Sequence, residues 1–162
     1  MQLKFALDNA VVPALKMLPL PLDSPRARAL LLAIGLQESE FTARVQHGGG
    51  PARGFWQFEE NGGVRGVWRH SASAEQARLM CRARDCGFEP RAIWTQLATD
   101  DILAAAFARL LLFTDPKPLP ELGDTQGSWL YYERNWRPGK PHPEKWPENY
   151  ARAVALVAPT GG

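Results

Sequence analysis

Ser24-Pro-Arg-Ala-Arg-Ala-Leu-Leu-Leu-Ala-Ile-Gly-Leu-Gln-Glu-Ser-Glu-Phe41 decides the reading of this chain. Ser24 is suited to accept a backbone N–H at a helix start, and Pro25 to occupy the first turn. Every residue from Ala29 to Leu36 is apolar or glycine. A helix that is apolar all round is buried all round. At its end stand Gln37, Glu38, Ser39 and Glu40. Apolar surroundings and the negative end of the helix dipole both disfavour the charged form of Glu38. The sequence therefore predicts a carboxyl with a raised pKa, able to hold a proton and donate it, as a general acid must. The competing reading is a solvated Glu38 that merely ends a core helix.

A loop rich in glycine follows, His47-Gly-Gly-Gly-Pro51, and then Ala52-Arg-Gly-Phe-Trp-Gln-Phe58. No Lys-Ser/Thr pair follows the glycines, so a phosphate-binding P-loop is excluded. Glycines there permit close approach of the backbone to a ligand. Phe55 to Phe58 spans too few positions to establish a strand, and a turn lets Trp56 and Gln57 line one cleft.

Glu38-Ser39-Glu40-Phe41, a loop, and Gly54-Phe55-Trp56-Gln57-Phe58 together resemble the lysozyme-like superfamily. They are closest to the soluble lytic transglycosylases and goose-type lysozymes of phage proteins. That group shows Glu-Ser-x-Phe at the end of a buried helix, then Gly-hydrophobic-Met-Gln-hydrophobic along the cleft. Trp56 stands here where the group usually has Met. A third motif, Ala-Tyr-Asn-Ala-Gly, is matched only loosely, by Tyr131-Tyr-Glu-Arg-Asn-Trp-Arg-Pro-Gly139.

The resemblance implies a mainly α, single lysozyme-like domain over residues 1–162, with about seven helices and little or no sheet. It implies cleavage of the β-1,4 bond between N-acetylmuramic acid and N-acetylglucosamine in peptidoglycan, with Glu38 as general acid and then base. Ser39, Gly54, Trp56 and Gln57 are expected to contact the glycan strand, Trp56 as a platform for a sugar ring. Tyr132 is the counterpart of the tyrosine that hydrogen-bonds the acid. Glu133 stands where an Asn should follow it, so Tyr131 is kept as the alternative register. No cofactor is implied; virion proteins are implied as further partners.

Glycoside hydrolysis usually needs a second carboxylate. Glu40, Glu59, Glu60 and Asp85 are the candidates, and Glu59 and Glu60 are placed best because they follow the cleft segment directly. Their plainer reading is a solvated turn. Lytic transglycosylases manage with one acid, since the C6 hydroxyl of the sugar closes a 1,6-anhydro ring. Among the other tryptophans, Trp129 and Trp136 share a helix with the tyrosines, so one of the pair is expected at the cleft. Trp68, Trp94 and Trp146 read as core.

The chain has 162 residues, 45% hydrophobic and 22% charged, with net charge +2. Charges of both signs are interspersed, which argues against a nucleic-acid binder. Met1 to Asp8 lacks the basic start and apolar run of a signal peptide. Delivery of such an enzyme to the cell wall would then fall to another agent, a virion or a phage holin, from the host cytoplasm. No run is long enough to span a membrane, since the apolar stretch Ile102 to Phe113 is short and broken by Arg109. Cys81 and Cys86 read as free thiols on one helix, and His47, His70 and His142 lack ligand spacing, so no metal site is expected.

Other helices are expected over Asn9–Met17, where Pro13 shortens or kinks the rod, and Val64–His70. Further ones run from a Ser73 capping box to Cys86, from Pro90 to Ala98, and over Ile102–Thr114 behind an Asp cap. The last two are Ser128–Trp136 and Glu148–Val157, with a frayed tail after Pro159. Two other functions stay open at this level. One is a phage structural or assembly protein that kept the fold without turnover, favoured by the loose third motif. The other is a chitin-acting hydrolase with a second carboxylate.

Overall fold

The computed structural model describes residues 3–159. Among them are eight helices and no strand, so the mainly α expectation holds. The frayed tail expected after Pro159 lies outside the described residues.

The first helix, α1, is one rod over 3–17 built from Leu3–Ala6, Leu7–Val11 and Val12–Met17. It starts earlier than expected. Pro13 does not end it, because a π turn over Leu7–Val11 precedes the proline, and Val12 N–H reaches back to Leu7 O. A proline without an N–H is absorbed by such local rearrangement of the ladder.

Helix α2, Pro25–Ser39, is the core of the molecule. Ser24 Oγ accepts from Ala27 N at 3.1 Å, as the cap requires. All residues from Ala29 to Leu36 are buried. Burial of each of its Leu and Ile side chains contributes roughly 1.5–3 kcal/mol. It packs most extensively against α8, Trp146–Val157; α1 and α6, Asp101–Phe113, pack on it too. Helix α6 is the second buried rod. Asp100 caps it by accepting from Leu103 N at 3.0 Å, and Arg84 clamps the same carboxylate with two bonds.

The remaining helices form the flanks: α3 Arg65–Arg69 behind a π turn, α4 Ala74–Ala83, α5 Pro90–Leu97 and α7 Thr125–Trp136. Three local readings are corrected. Ser73 makes no capping box: it is buried and its hydroxyl donates to Val67 O at 2.7 Å, which fixes the corner before α4. Cys86 lies beyond the end of α4, although both thiols are free and buried as expected. Helix α7 begins at Thr125, three residues early, because Asp124 caps it through Gly127 N.

Between α2 and α3 the chain folds into a compact loop over 40–59. Its only pairings among the described residues are isolated bridges, Val45 with Arg53 and Arg53 with Phe58. Arg53 and Phe58 exchange both backbone bonds at 2.9 Å around a turn closed by Gln57 N to Gly54 O. The segment is thus a turn, and it is set hard against the end of α2.

Candidate active site

Glu38 sits in the last turn of α2 and is half-buried. Burial pushes its carboxyl up to about 7, against the pull of a hydrogen bond from Tyr132. The Tyr132 hydroxyl donates to Glu38 Oε1 at 2.6 Å. Burial, and then the neighbouring Glu38, push the phenol upward, so Tyr132 stays a donor at any ordinary pH. Such an acid is half protonated near neutrality, where proton donation and recovery are both accessible.

Tyr132 is held by an aromatic ladder. Its ring stacks on Trp146 with centroids 5.1 Å apart and planes 8° from parallel, and Trp129 and Trp136 lean on its other sides. Stacked and edge contacts of this kind add stability beyond area burial. The sequence places Trp146 in the core, and it is there. Trp129 packs into the same ladder.

The end of α2 is fixed by two devices. Glu40 and Phe41 both adopt positive φ, 55° and 54°, which turns the chain back over the helix. The Phe41 ring then lies where a side chain at Gly35 would project, and it meets Phe55 and Trp56 edge-on at 5.5 Å each. Gln37 supplies the other device. It donates to Pro141 O and His142 O and accepts from Asn149 Nδ2, which pins the 137–143 loop and α8 beside Glu38. Nothing in the sequence spacing signals this role for Gln37 or Asn149, since both partners are more than a hundred residues away along the chain.

Several expected contact residues have other duties. Trp56 is 1% exposed, and its Nε1 donates to Leu31 O of α2 at 2.8 Å. It is a core residue and no sugar platform, because the turn directs it inward. Tyr131 is also corrected: it points away from Glu38 and donates its one proton to Lys117 O at 2.9 Å, with Leu112 O at 3.2 Å as the alternative acceptor. Tyr132 is the tyrosine of the two that bonds Glu38. Ser39 Oγ donates its one proton to Phe55 O at 2.7 Å, with Gly35 O at 3.2 Å as the alternative acceptor, and accepts from Phe41 N, so it joins α2 to the turn. Gly54 is buried, with φ +78°; its N–H donates to Arg44 O and its carbonyl accepts twice from Gln57. A Cβ there would lie 2.9 Å from Leu97 O, so the close approach that requires glycine is to α5, not to a ligand.

Gln57 keeps a half-exposed position, with φ 55°, and faces a small cavity shared with Phe58, Glu59 and Trp136. Trp136 is the tryptophan of the pair that reaches open space. Its Nε1 donates to Trp56 O at 3.0 Å, its ring meets Phe58 edge-on, and it walls a cavity of about 580 Å³ together with Glu59, Arg69 and Arg137. Because Trp136 also leans on Tyr132, that cavity lies one ring beyond the residue that holds the acid. Of the two best-placed candidates for a second carboxylate, Glu60 is ion-paired with Arg91, while Glu59 is exposed at the cavity edge.

Among the described residues no three His, Cys, Asp or Glu side chains gather as metal ligands, and no helix is long and apolar enough to cross a membrane. No protein-family profile, characterised protein or solved structure matches this chain. The site therefore stands on its own geometry.

Proposed function

We propose that this chain is a lysozyme-like enzyme that cleaves glycan strands of peptidoglycan at the β-1,4 bond after N-acetylmuramic acid, with Glu38 as its one acid and base. The observation that carries this reading is a half-buried carboxyl raised to about 7, at the end of a buried helix, with a fixed phenol donor at 2.6 Å. Protonated Glu38 gives its proton to the leaving glycosidic oxygen as the C1–O bond breaks. The resulting carboxylate then takes the proton of the C6 hydroxyl as that oxygen bonds to C1, which closes a 1,6-anhydro ring and restores the acid.

A single-acid mechanism is favoured over a two-carboxylate one by what surrounds Glu59 and Glu60. Glu60 is committed to Arg91, and Glu59 lies exposed, without the burial that tunes Glu38. Trp136 replaces Trp56 as the ring proposed to meet a sugar, with Gln57 beside it. Digestion of purified sacculi followed by mass spectrometry of the muropeptides tests the reading. Anhydro ends that disappear in Glu38→Gln support it. Hydrated ends would transfer the second step to a water activated at Glu59. No release of muropeptides at any pH would leave a non-catalytic protein that kept the fold.

A further inference from the structure

Arg109 is the single charged residue on the buried face of α6. It is 7% exposed. Its Nε donates to Leu22 O at 2.9 Å, and among the described residues neither terminal nitrogen of the guanidinium has a protein partner. Arginine cannot shed its charge, and a charge taken from water is costly unless something pairs with it. Structural arginines in such places ordinarily face a carboxylate. Asp115, which lines the same cavity, is already engaged: Arg134, Asn135 Nδ2 and Lys117 N–H all donate to it.

The free end of the guanidinium opens on a cavity of about 430 Å³. Its walls are Leu22, Leu112, Phe113, Leu119 and Tyr131, with Asp115, whose charge Arg134 offsets, and Pro116 and Pro118 beside them. Prolines fix φ, and the Tyr131 hydroxyl ties the loop down at Lys117 O, so that side is set before anything enters. Lys117 also lines the cavity, and among the described residues it makes no ion pair. The unpaired terminal nitrogens are not fully enclosed, so they meet solvent through this cavity, and apolar walls with a few convergent polar groups are the usual makeup of a small-molecule site. Tyr131 and Tyr132 project from different faces of α7, so this cavity is separate from Glu38.

We propose that this cavity binds a small organic carboxylate, its anionic head on Arg109 and its apolar body against Leu22, Phe113 and Leu119. The head would take two parallel N–H bonds, the geometry a guanidinium offers a carboxylate. The proposal is independent of glycan cleavage.

Benzoate is the probe. It is titrated calorimetrically into the full chain, with benzamide and inorganic phosphate as controls, and the melting temperature is followed in parallel. The expected result is one benzoate per chain with a raised melting temperature. Benzamide, which lacks the charge, and phosphate, which lacks the apolar body, should each bind at least about tenfold more weakly. Arg109→Met should lose benzoate by a similar factor. Leu119→Trp fills the cavity while leaving Arg109 in place, and it should block binding even if Arg109→Met does not fold. Failure of the native chain to bind benzoate, or equal binding of benzamide, overturns the proposal. So does full binding by Leu119→Trp. Phosphate binding as tightly as benzoate would also overturn it, by reducing the site to a bare cation.

Discussion

Tyr132, in the middle of α7, donates to Glu38 at the end of α2 across 94 residues of chain. The bond favours the charged form of the acid, while burial favours the neutral one and is the larger influence. The two effects together leave the carboxyl near 7 rather than higher. Tyr132→Phe removes the one group among the described residues that lowers it. The Glu38 pKa should then rise, and the basic limb of the rate profile should move to higher pH, because the acid must be protonated to act. The maximal rate should fall as well, since the carboxyl loses its orientation. A pH–rate profile on soluble glycan fragments reads both effects. An unmoved basic limb would mean that the phenol does not control the acid.

Glu38 also links pH to stability. Its folded pKa lies above the unfolded value of about 4.5, so folding favours the protonated form. The contribution is fully present below about pH 4.5 and is lost as pH rises through about 7. At one pKa unit per 1.36 kcal/mol the loss reaches up to about 3 kcal/mol. Glu38→Gln cannot ionise and escapes it. The Gln variant should therefore melt close to the native protein at pH 4.5 and clearly above it at pH 8. Its rate on sacculi should drop at least about 10²-fold, the usual scale for a lost acid. Melting curves that run parallel across this range would remove the case for a buried, perturbed carboxyl.

Gly35 and Gly54 are fixed by different contacts. A Cβ on Gly35 would overlap the Phe41 ring, which has no slack between Phe55 and Trp56. A Cβ on Gly54 would press on Leu97 O in a backbone region that suits glycine, at φ +78°. Overpacking and strained φ each cost about 1–3 kcal/mol. Gly35→Ala and Gly54→Ala should both lower the midpoint of urea unfolding by that order. Gly66→Ala, where nothing lies within 4 Å, should leave it almost unchanged or raise it.

The position of Glu38 was legible because a local pattern produced it. Eight consecutive apolar or glycine residues can only be an interior helix, and the first acid after them must sit at the edge of the core. Caps at Ser24 and Asp100 were legible for the same reason, since side chain and partner are three residues apart. The direction of Trp56 was not. A turn with Gly54 and Gln57 at positive φ can deliver its two central rings to either side, and only the pocket under Phe41 decides. The Ser73 box failed because its hydroxyl found Val67 O first, a partner set by the preceding corner. Gln37, Asn149 and Arg109 depend on contacts over roughly a hundred residues, which no spacing rule encodes.

Trp56 and Trp136 can be told apart by one pair of variants. Trp56 is enclosed, packed on Phe41, and bonded through Nε1 to α2. Truncation to Ala leaves a large cavity and frees Leu31 O from that bond, so the loss should be about 3–5 kcal/mol. Whatever Trp56→Ala protein remains folded should bind chito-oligosaccharides with native affinity per active molecule. Trp136 is half-exposed; it lends one N–H to Trp56 O and one ring face to open space. Its truncation should cost less stability than that of Trp56, because part of its surface is already in water. Binding should weaken severalfold, because a sugar loses the apolar ring that its C–H face packs on. Melting temperatures and oligosaccharide titrations on both variants give four values. If Trp136→Ala binds as the native chain does while Trp56→Ala loses binding without losing stability, the assignment of the two rings is reversed.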